Sequence, residues 1–151
     1  MRMLAALLFC SFSLAATDGD EKSILAAVQK LFDGMAAHDA AMIKSAMTPD
    51  ARLVRVRQGK AASTPGDDFA ASIAGNKNQL LERIWSPTVL VRGNIAMVWA
   101  EYDFHSNGKF HHCGIDAFMM LKTDEGWKAS TISDTSETEG CKPSPLGPPK
   151  Q

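Results

Sequence analysis

The sequence predicts an α+β protein in which N-terminal helices pack on one face of a strongly curved antiparallel β-sheet. Two observations support this class. Apolar residues recur at helical spacing early in the chain, whereas the later half alternates apolar and polar residues in long runs separated by turn signals. A length of 151 residues fits one domain with a real core.

Composition gives no reason to expect a nucleic acid or an anionic membrane as partner. Apolar residues make up 45% of the chain, charged residues 22%, and the formal net charge is -1. Binding to polyanions normally requires a marked excess of positive charge. Both partner classes are therefore disfavoured.

The N-terminus has the layout of a secretory signal peptide. A basic residue, Arg2, precedes an apolar run from Met3 to Leu14, and the small residues Ala15 and Ala16 follow. Such a run is shorter than the ~20 apolar residues that a membrane-spanning helix needs. We expect residues 1–16 to be removed after Ala15 or Ala16, leaving an exported, periplasmic or secreted chain with no membrane association.

Export gives the cysteines a predicted role. A lipid anchor on Cys10 is an alternative, which the bulky Phe9 before it disfavours. Once the leader is removed, Cys113 and Cys141 remain, and two cysteines in an oxidising compartment usually form one disulfide. Closing a loop of 28 residues (141 minus 113) stabilises a fold by about 3 to 4 kcal/mol in the chain-entropy model.

Three helices are predicted in the first half of the mature chain. Residues 18–35 carry an apolar stripe at helical spacing, and the acidic start suits a helix N-terminus. After a break near Gly34 to His38, a short helix is expected with Asp39 as its N-cap and Ile43 and Met47 on its inner face. The segment "GDDFAASIAG", residues 66–75, indicates the third, with Asp67 or Asp68 near its start.

A strand is predicted over residues 49–59. Val54 and Val56 alternate with Arg55 and Arg57, so we expect the valines to face inward and the arginines to solvate the outer face. An anion site built from these arginines and Arg52 is the alternative. A polar loop should follow the strand, and residues 80–87 remain ambiguous up to the boundary at Pro87.

The second half predicts an antiparallel meander of four strands near residues 88–92, 95–105, 109–122 and 127–134. The Asn107-Gly108 pair is a strong signal for a two-residue hairpin turn. Residues 136–151, rich in proline and glycine, should form an irregular tail that the disulfide fixes. The domain itself is expected to span residues 17–135.

Three stretches of the chain, "HDAAMIKSAMTPDARLV", "GNIAMVWAEYDF" and "GKFHHCGIDAFMMLKTDEGWKASTISDT", resemble the nuclear transport factor 2-like superfamily. Within it, they are similar to the branch described as putative lumazine-binding or polyketide-cyclase-like. The resemblance implies a cystatin-like cone whose mouth forms a pocket. It does not fix the activity, because this fold hosts isomerases, dehydratases, cyclases and non-catalytic oligomerising domains.

The resemblance does not extend to steroid isomerisation. Where ketosteroid isomerase has its catalytic aspartate, this chain offers Arg55 or Val56, and where the isomerase has its tyrosine, the chain offers Leu31 or Phe32. Only Asp116, in "GIDAF", matches the acid of the isomerase oxyanion hole. We therefore do not expect that activity.

Strand register decides what Asp116 does. A regular hairpin at Asn107-Gly108 would place Asp116 and His112 on the outer face. The resemblance prefers Asp116 in the cone, which requires one extra residue in the strand, and Gly114 is the expected site of that bulge. With the bulge, Phe118 and Met120 would line the pocket beside Tyr102, and His112 would stay outside.

Two other interpretations of "HHCGIDAF" are weaker. Adjacent strand residues such as His111 and His112 point to opposite faces, which disfavours a metal site, and none is expected. A nucleophilic Cys113 would need a neighbouring base, and the disulfide explains it better. Glu101 and Asp103 are expected to be solvated or to meet a partner subunit.

The sequence thus predicts an exported protein that binds a small hydrophobic or planar ligand, without a cofactor, and that forms a homodimer through a sheet face. The expected ligand-binding residues are Tyr102, Ala100, Phe104, Phe118 and Met120. Two alternatives remain open. One is a cyclase, isomerase or dehydratase that uses Asp116 as acid or base, helped by Tyr102 or His112; the other is a non-catalytic oligomerising domain.

Overall fold

The computed structural model describes residues 18–57 and 59–149. The predicted signal peptide, residues 1–16, lies outside the described residues. Among the helices that the structure describes, none has the length and apolar character needed to cross a lipid bilayer.

Three helices and six strands follow one another in the part of the chain that the structure describes. Their bounds are α1 Asp18–Ala37, α2 Ala40–Ser45, β1 Met47–Arg57, β2 Lys60–Pro65, α3 Gly66–Gly75, β3 Leu80–Arg92, β4 Ile95–Ser106, β5 Lys109–Thr123 and β6 Gly126–Asp134. All three predicted helices are present. Asp39 caps α2 as predicted, since its carboxylate accepts a hydrogen bond from the Met42 amide at 3.0 Å.

The strands form one mixed sheet in the order β2-β1-β6-β5-β4-β3. Neighbouring strands pair antiparallel except β1 and β6, which pair parallel. The sheet is strongly curved, and the helices cover its concave side, which confirms the predicted α+β fold. The parallel pair β1–β6 corrects the expectation of an antiparallel sheet. We call the concave side the inner face and the other side the outer face.

The core lies between α1 and the inner face. The predicted apolar stripe of α1 is buried, and Phe32 meets Phe118 edge to face with ring centroids 6.1 Å apart. Such aromatic pairs add about 0.5 to 1.5 kcal/mol beyond the area they bury. The same contact shows that β5 presents Phe118 to the helices.

The predicted orientation of β1 is wrong. Leu53 is buried on the inner face and Arg55 shares that face, whereas Val56 is 72% exposed on the outer face. An alternation of valine and arginine is compatible with either orientation, and the sequence offers no second signal to choose between them. The inner face accepts Arg55 because a buried carboxylate, Asp134, pairs with it.

Two further expectations for the first half also need correction. Residues 60–65, expected to be a loop, form the exposed edge strand β2. Pro87 does not end a segment, because β3 continues through it with an irregular register between Trp85 and Thr88 and a positive φ of 46° at Ser86. A proline lacks a backbone donor, and an irregularity in the strand accommodates it.

Candidate functional site

A cavity of about 250 Å³ lies between the helices and the inner face of the sheet. Leu31 and Met35 of α1 and Phe69 and Ile73 of α3 form its apolar wall. The opposite wall comes from the strands and is rich in polar and charged groups. The helix side of the cavity is therefore apolar, and its charged groups come from the strands.

A bulge in β5 positions the strand side of the cavity. Phe104 pairs with His112 but His105 pairs with Phe110, so His111 is the extra residue. The bulge predicted at Gly114 thus exists three positions earlier. One extra residue inverts the faces of all that follow, so Asp116 points inward, while Met119 and Leu121 are exposed on the outer face.

Asp116 sits deep in this wall, with only 2% of its surface exposed. Its direct neighbours across the sheet are Ala100 on β4 and Asp134 on β6. No hydrogen-bond partner among the described residues reaches its Oδ2 atom. A buried acceptor without a hydrogen bond destabilises a fold by about 1 to 3 kcal/mol. Unpaired buried acceptors of this kind are typical of functional sites.

Glu82 of β3 completes an acid pair with Asp116. Burial, followed by the charge of Glu82, raises the pKa of Asp116 to about 10, and burial raises the pKa of Glu82 to about 7 despite a hydrogen bond from Asp116. Two carboxyl groups can hydrogen-bond only when one is protonated. Between these two pKa values, above pH 7 and below pH 10, the acid pair therefore holds one proton and one negative charge.

Arg55 and Asp134 form an ion pair beside the acid pair. The Arg55 side chain is 33% exposed and that of Asp134 is 9% exposed. Arg55 lowers the pKa of both members of the acid pair, but burial outweighs it in each. The guanidinium is thus already committed to one carboxylate.

Tyr102 lines the cavity, as predicted, and its hydroxyl donates a hydrogen bond of 2.6 Å to the carbonyl oxygen of Thr135. Burial and three neighbouring carboxylates keep its pKa far above the usual value. Gly114 explains how Thr135 comes so close, because a Cβ at Gly114 would lie 2.4 Å from Thr135 Oγ1. The glycine serves this close approach and not a bulge.

Both histidines of the bulge line the cavity, which corrects two expectations. His112 was predicted on the outer face, and adjacent histidines were predicted to point apart. Because the bulge breaks the alternation at His111, the two Nδ1 atoms lie 2.8 Å apart. The ring of His112 also lies against Phe104, with centroids 5.0 Å apart.

The remaining predicted residues are placed as follows. Phe104 lines the cavity, whereas Ala100, Phe118 and Met120 are buried in the core and do not line it. These three face inward as predicted, but Phe118 and Met120 belong to the hydrophobic core that packs against the helices. Cys113 and Cys141 form the predicted disulfide.

Sequence reasoning missed Glu82, Asp134 and the inward orientation of Arg55. A usable signal was present for the two acidic residues. Glu82 lies between Leu80 and Ile84 at strand spacing, and Asp134 lies two residues after Ile132. A charged residue that shares a strand face with core residues is a candidate for a buried site.

The outer face carries a second buried polar cluster, away from the cavity. Arg83 donates from Nε to Asp103 Oδ1 at 2.9 Å and from Nη1 to the Gly147 carbonyl of the tail at 3.0 Å. Asp103 is 4% exposed, so the expectation of a solvated side chain is wrong. Burial opposes its ionisation, but hydrogen bonds from Arg83 and His105 hold its pKa below the usual value.

Solved structures show the same fold. One is a nuclear transport factor 2-like protein of unknown function from Shewanella baltica, 18% identical, with a TM-score of 0.64 over 83% of this chain and 100% of that one. Another, from Novosphingobium aromaticivorans, has a cystatin-like fold, 17% identity and a TM-score of 0.67 over 82% and 84% of the two chains. A superfamily protein from Salmonella enterica, 14% identical, aligns with a TM-score of 0.68 over 83% and 96%.

The family assignment comes from the sequence. Among curated proteins, none matches the chain. A family model described as "Putative lumazine-binding" matches residues 19–131, which run from α1 into β6 and include all cavity-lining residues except Ile132, Asp134 and Ser136. The chain therefore belongs to this family, within the nuclear transport factor 2-like superfamily.

Proposed function

We propose that the protein is an exported small-molecule-binding protein whose ligand, a small hydrophobic or planar molecule, occupies the cavity of the cone. The observation that carries this proposal is the pairing of an apolar wall with a buried carboxyl group that lacks a full set of hydrogen bonds. Ligand sites are typically apolar with a few placed polar groups. The family description supports a planar ligand.

The size of the cavity limits the ligand. An apolar cavity of ~150 Å³ accepts benzene. At about 250 Å³, this cavity suits a substituted single ring or a compact fused pair of rings. Larger ligands would require the helices to move.

Two features support export and dimerisation. The disulfide is of a kind that persists in oxidising compartments, which agrees with the predicted leader. On the outer face, Val56, Leu90 and Trp99 are 72%, 57% and 49% exposed. An apolar surface of this kind favours a homodimer.

A fragment screen tests the proposed binding. Planar one-ring and two-ring compounds, including lumazine, are tested by ligand-observed NMR against the wild type and against Ile73→Trp, which fills the cavity from α3. We expect several fragments to bind the wild type and to lose binding to Ile73→Trp.

The matched control is Leu90→Trp, which adds the same side chain on the outer face, where Leu90 is 57% exposed. This variant should bind fragments like the wild type. Absence of any binding fragment, or equal binding by Ile73→Trp, would contradict the proposal. Thermal unfolding of both variants checks that the fold is retained.

A cyclase, isomerase or dehydratase is the second candidate, because Asp116 faces the cavity and has a raised pKa. Protonated at neutral pH, Asp116 would act as the acid, and Glu82, with a pKa of about 7, as the base. Tyr102 is a poor proton donor, since its hydroxyl proton is already held by Thr135.

The Kemp elimination of 5-nitrobenzisoxazole tests this acid–base capacity. A carboxylate removes the ring C–H proton, a C≡N bond forms, and the N–O bond breaks to release 2-cyano-4-nitrophenolate. We expect a rate that rises through pH 7 and disappears in Glu82→Gln. A rate in the wild type no higher than in Glu82→Gln would exclude Glu82 as a base.

A further inference from the structure

We propose that the ligand of this cavity carries a protonated amine or amidine that donates hydrogen bonds to the acid pair, while its apolar body lies against α1 and α3. The inference rests on the proposed function, since it names the ligand class for the same cavity.

The polar wall of the cavity carries several carboxyl groups. Three carboxyl groups face the cavity, from Glu82, Asp116 and Asp134, and they come from three different strands. The cation of this wall, Arg55, is held by Asp134. The Tyr102 hydroxyl proton is held by the Thr135 carbonyl at 2.6 Å. Arg55 Nε and the Tyr102 hydroxyl therefore each have an acceptor, whereas one acceptor of the wall lacks a donor among the described residues.

The unused acceptor of the wall is Asp116 Oδ2. The atom is buried in a residue that is 2% exposed, it has no hydrogen-bond partner among the described residues, and its side chain lines the cavity. A ligand N–H placed here would supply the missing bond. Hydrogen bonds to charged groups contribute about 1.5 to 3 kcal/mol, or roughly ten-fold to hundred-fold in affinity.

The other groups facing the acid pair do not reverse the preference of the cavity for a ligand with a cationic donor. The helices contribute apolar side chains to the cavity, and the Arg55–Asp134 pair adds no net charge. On β5, His111 and His112 hydrogen-bond to each other at 2.8 Å, and neither donates to Asp116 Oδ2. Above the pKa of Glu82, the acid pair contributes one negative charge to the cavity wall.

Binding of such a cation is coupled to proton release. When an ammonium group donates to the acid pair, the proton shared by Glu82 and Asp116 is no longer needed to separate their charges. The shared proton then leaves for the solvent, and the ligand keeps its own. A neutral ligand releases no proton, so the number of protons released on binding distinguishes cationic ligands from neutral ones.

Titration calorimetry tests the proposal with ligands that share one ring. Benzylamine, benzamidine and tyramine are compared at pH 7.5 with benzyl alcohol and benzoate, in two buffers of different ionisation enthalpy. We expect at least one amine or amidine to bind about ten-fold or more tighter than benzyl alcohol and benzoate. Its binding should release up to about one proton per ligand.

Asp116→Asn should remove most of this preference while keeping the affinity for neutral fragments. The matched control, Glu101→Gln, removes one charge on the outer face next to Tyr102 and should behave like the wild type. Equal or tighter binding of benzyl alcohol or benzoate, or a preference for the amine that persists in Asp116→Asn, would overturn the inference. If neutral planar fragments bind and no cation does, this inference fails and the proposed function stands; if nothing binds, both fail.

Discussion

Replacing Asp116 by asparagine should stabilise the protein above neutral pH. Both members of the acid pair have a raised pKa, about 10 for Asp116 and about 7 for Glu82, against ordinary values of 3.8 and 4.5. The folded protein therefore binds more protons than the unfolded chain between these limits. Because of this, the free energy of unfolding falls as the pH rises from about 4 to above 7.

The magnitude follows from the pKa of Asp116, which burial and the charge of Glu82 raise from 3.8 to about 10. The folded protein keeps this carboxyl group protonated above pH 4 whereas the unfolded chain ionises it, which costs ~1.4 kcal/mol of stability per pH unit. Asparagine does not ionise, so the variant avoids this cost, and its amide can still donate to the Glu82 carboxylate. We expect a gain of at least about 2 kcal/mol at pH 8 and almost none at pH 4, or at least roughly 4 to 8 °C in Tm at pH 8.

Thermal and denaturant unfolding of wild type and Asp116→Asn across pH 4 to 9 provides the assay. Asp103→Asn is the matched control, because Asp103 is also buried but its pKa is lowered, so its ionised form stabilises the fold. This control should lose stability above pH 4. A variant Asp116→Asn that is less stable than wild type at pH 8 would refute the reasoning.

Three further predictions concern the surroundings of the cavity. Gly114→Ala should destabilise the fold by about 1 to 3 kcal/mol, measured by denaturant unfolding, since a Cβ would lie 2.6 Å from the Thr135 carbonyl oxygen. Reduction of Cys113–Cys141, which closes a loop with a sequence separation of 28, should lower the free energy of unfolding by about 3 to 4 kcal/mol. Trp99→Glu should convert a homodimer into a monomer in light scattering, because Trp99 is 49% exposed on the outer face.

Each of these predictions has a control. Gly75→Ala meets no atom within 4 Å and should leave the stability almost unchanged. Treatment of a Cys113→Ser, Cys141→Ser double variant with reductant should have no effect. Lys77→Glu changes the charge outside the sheet and should keep the oligomeric state. Equal effects of a variant and its control would count against the corresponding argument, as would a wild type that is already monomeric in the Trp99 experiment.

The sequence was sufficient for the fold because local signals agreed with the global pattern. The apolar stripe of α1, the N-cap at Asp39 and the turn at Asn107-Gly108 each fix an element by short-range physics. The disulfide followed from the predicted export and the number of cysteines. None of these required knowledge of long-range pairing.

The site was less predictable because it depends on which face of the sheet each strand residue points to. One extra residue at His111 sets the face of Asp116, and no local signal distinguishes a bulge at His111 from one at Gly114. The same ambiguity hid Arg55, whose inward position is stabilised by Asp134 across the sheet. Glu82 escaped notice because Pro87 suggested a boundary that the strand accommodates.

Carboxyl NMR titration of Glu82 and Asp116 in the wild type tests the central claim most directly, namely that the cavity holds a desolvated acid pair sharing one proton. Selective ¹³C labelling, with Glu82→Gln and Asp116→Asn for assignment, would follow each group from pH 3 to 10. The structure predicts that Glu82 titrates near pH 7 and that Asp116 remains protonated well above it. Titration of both groups near pH 4 would contradict the account.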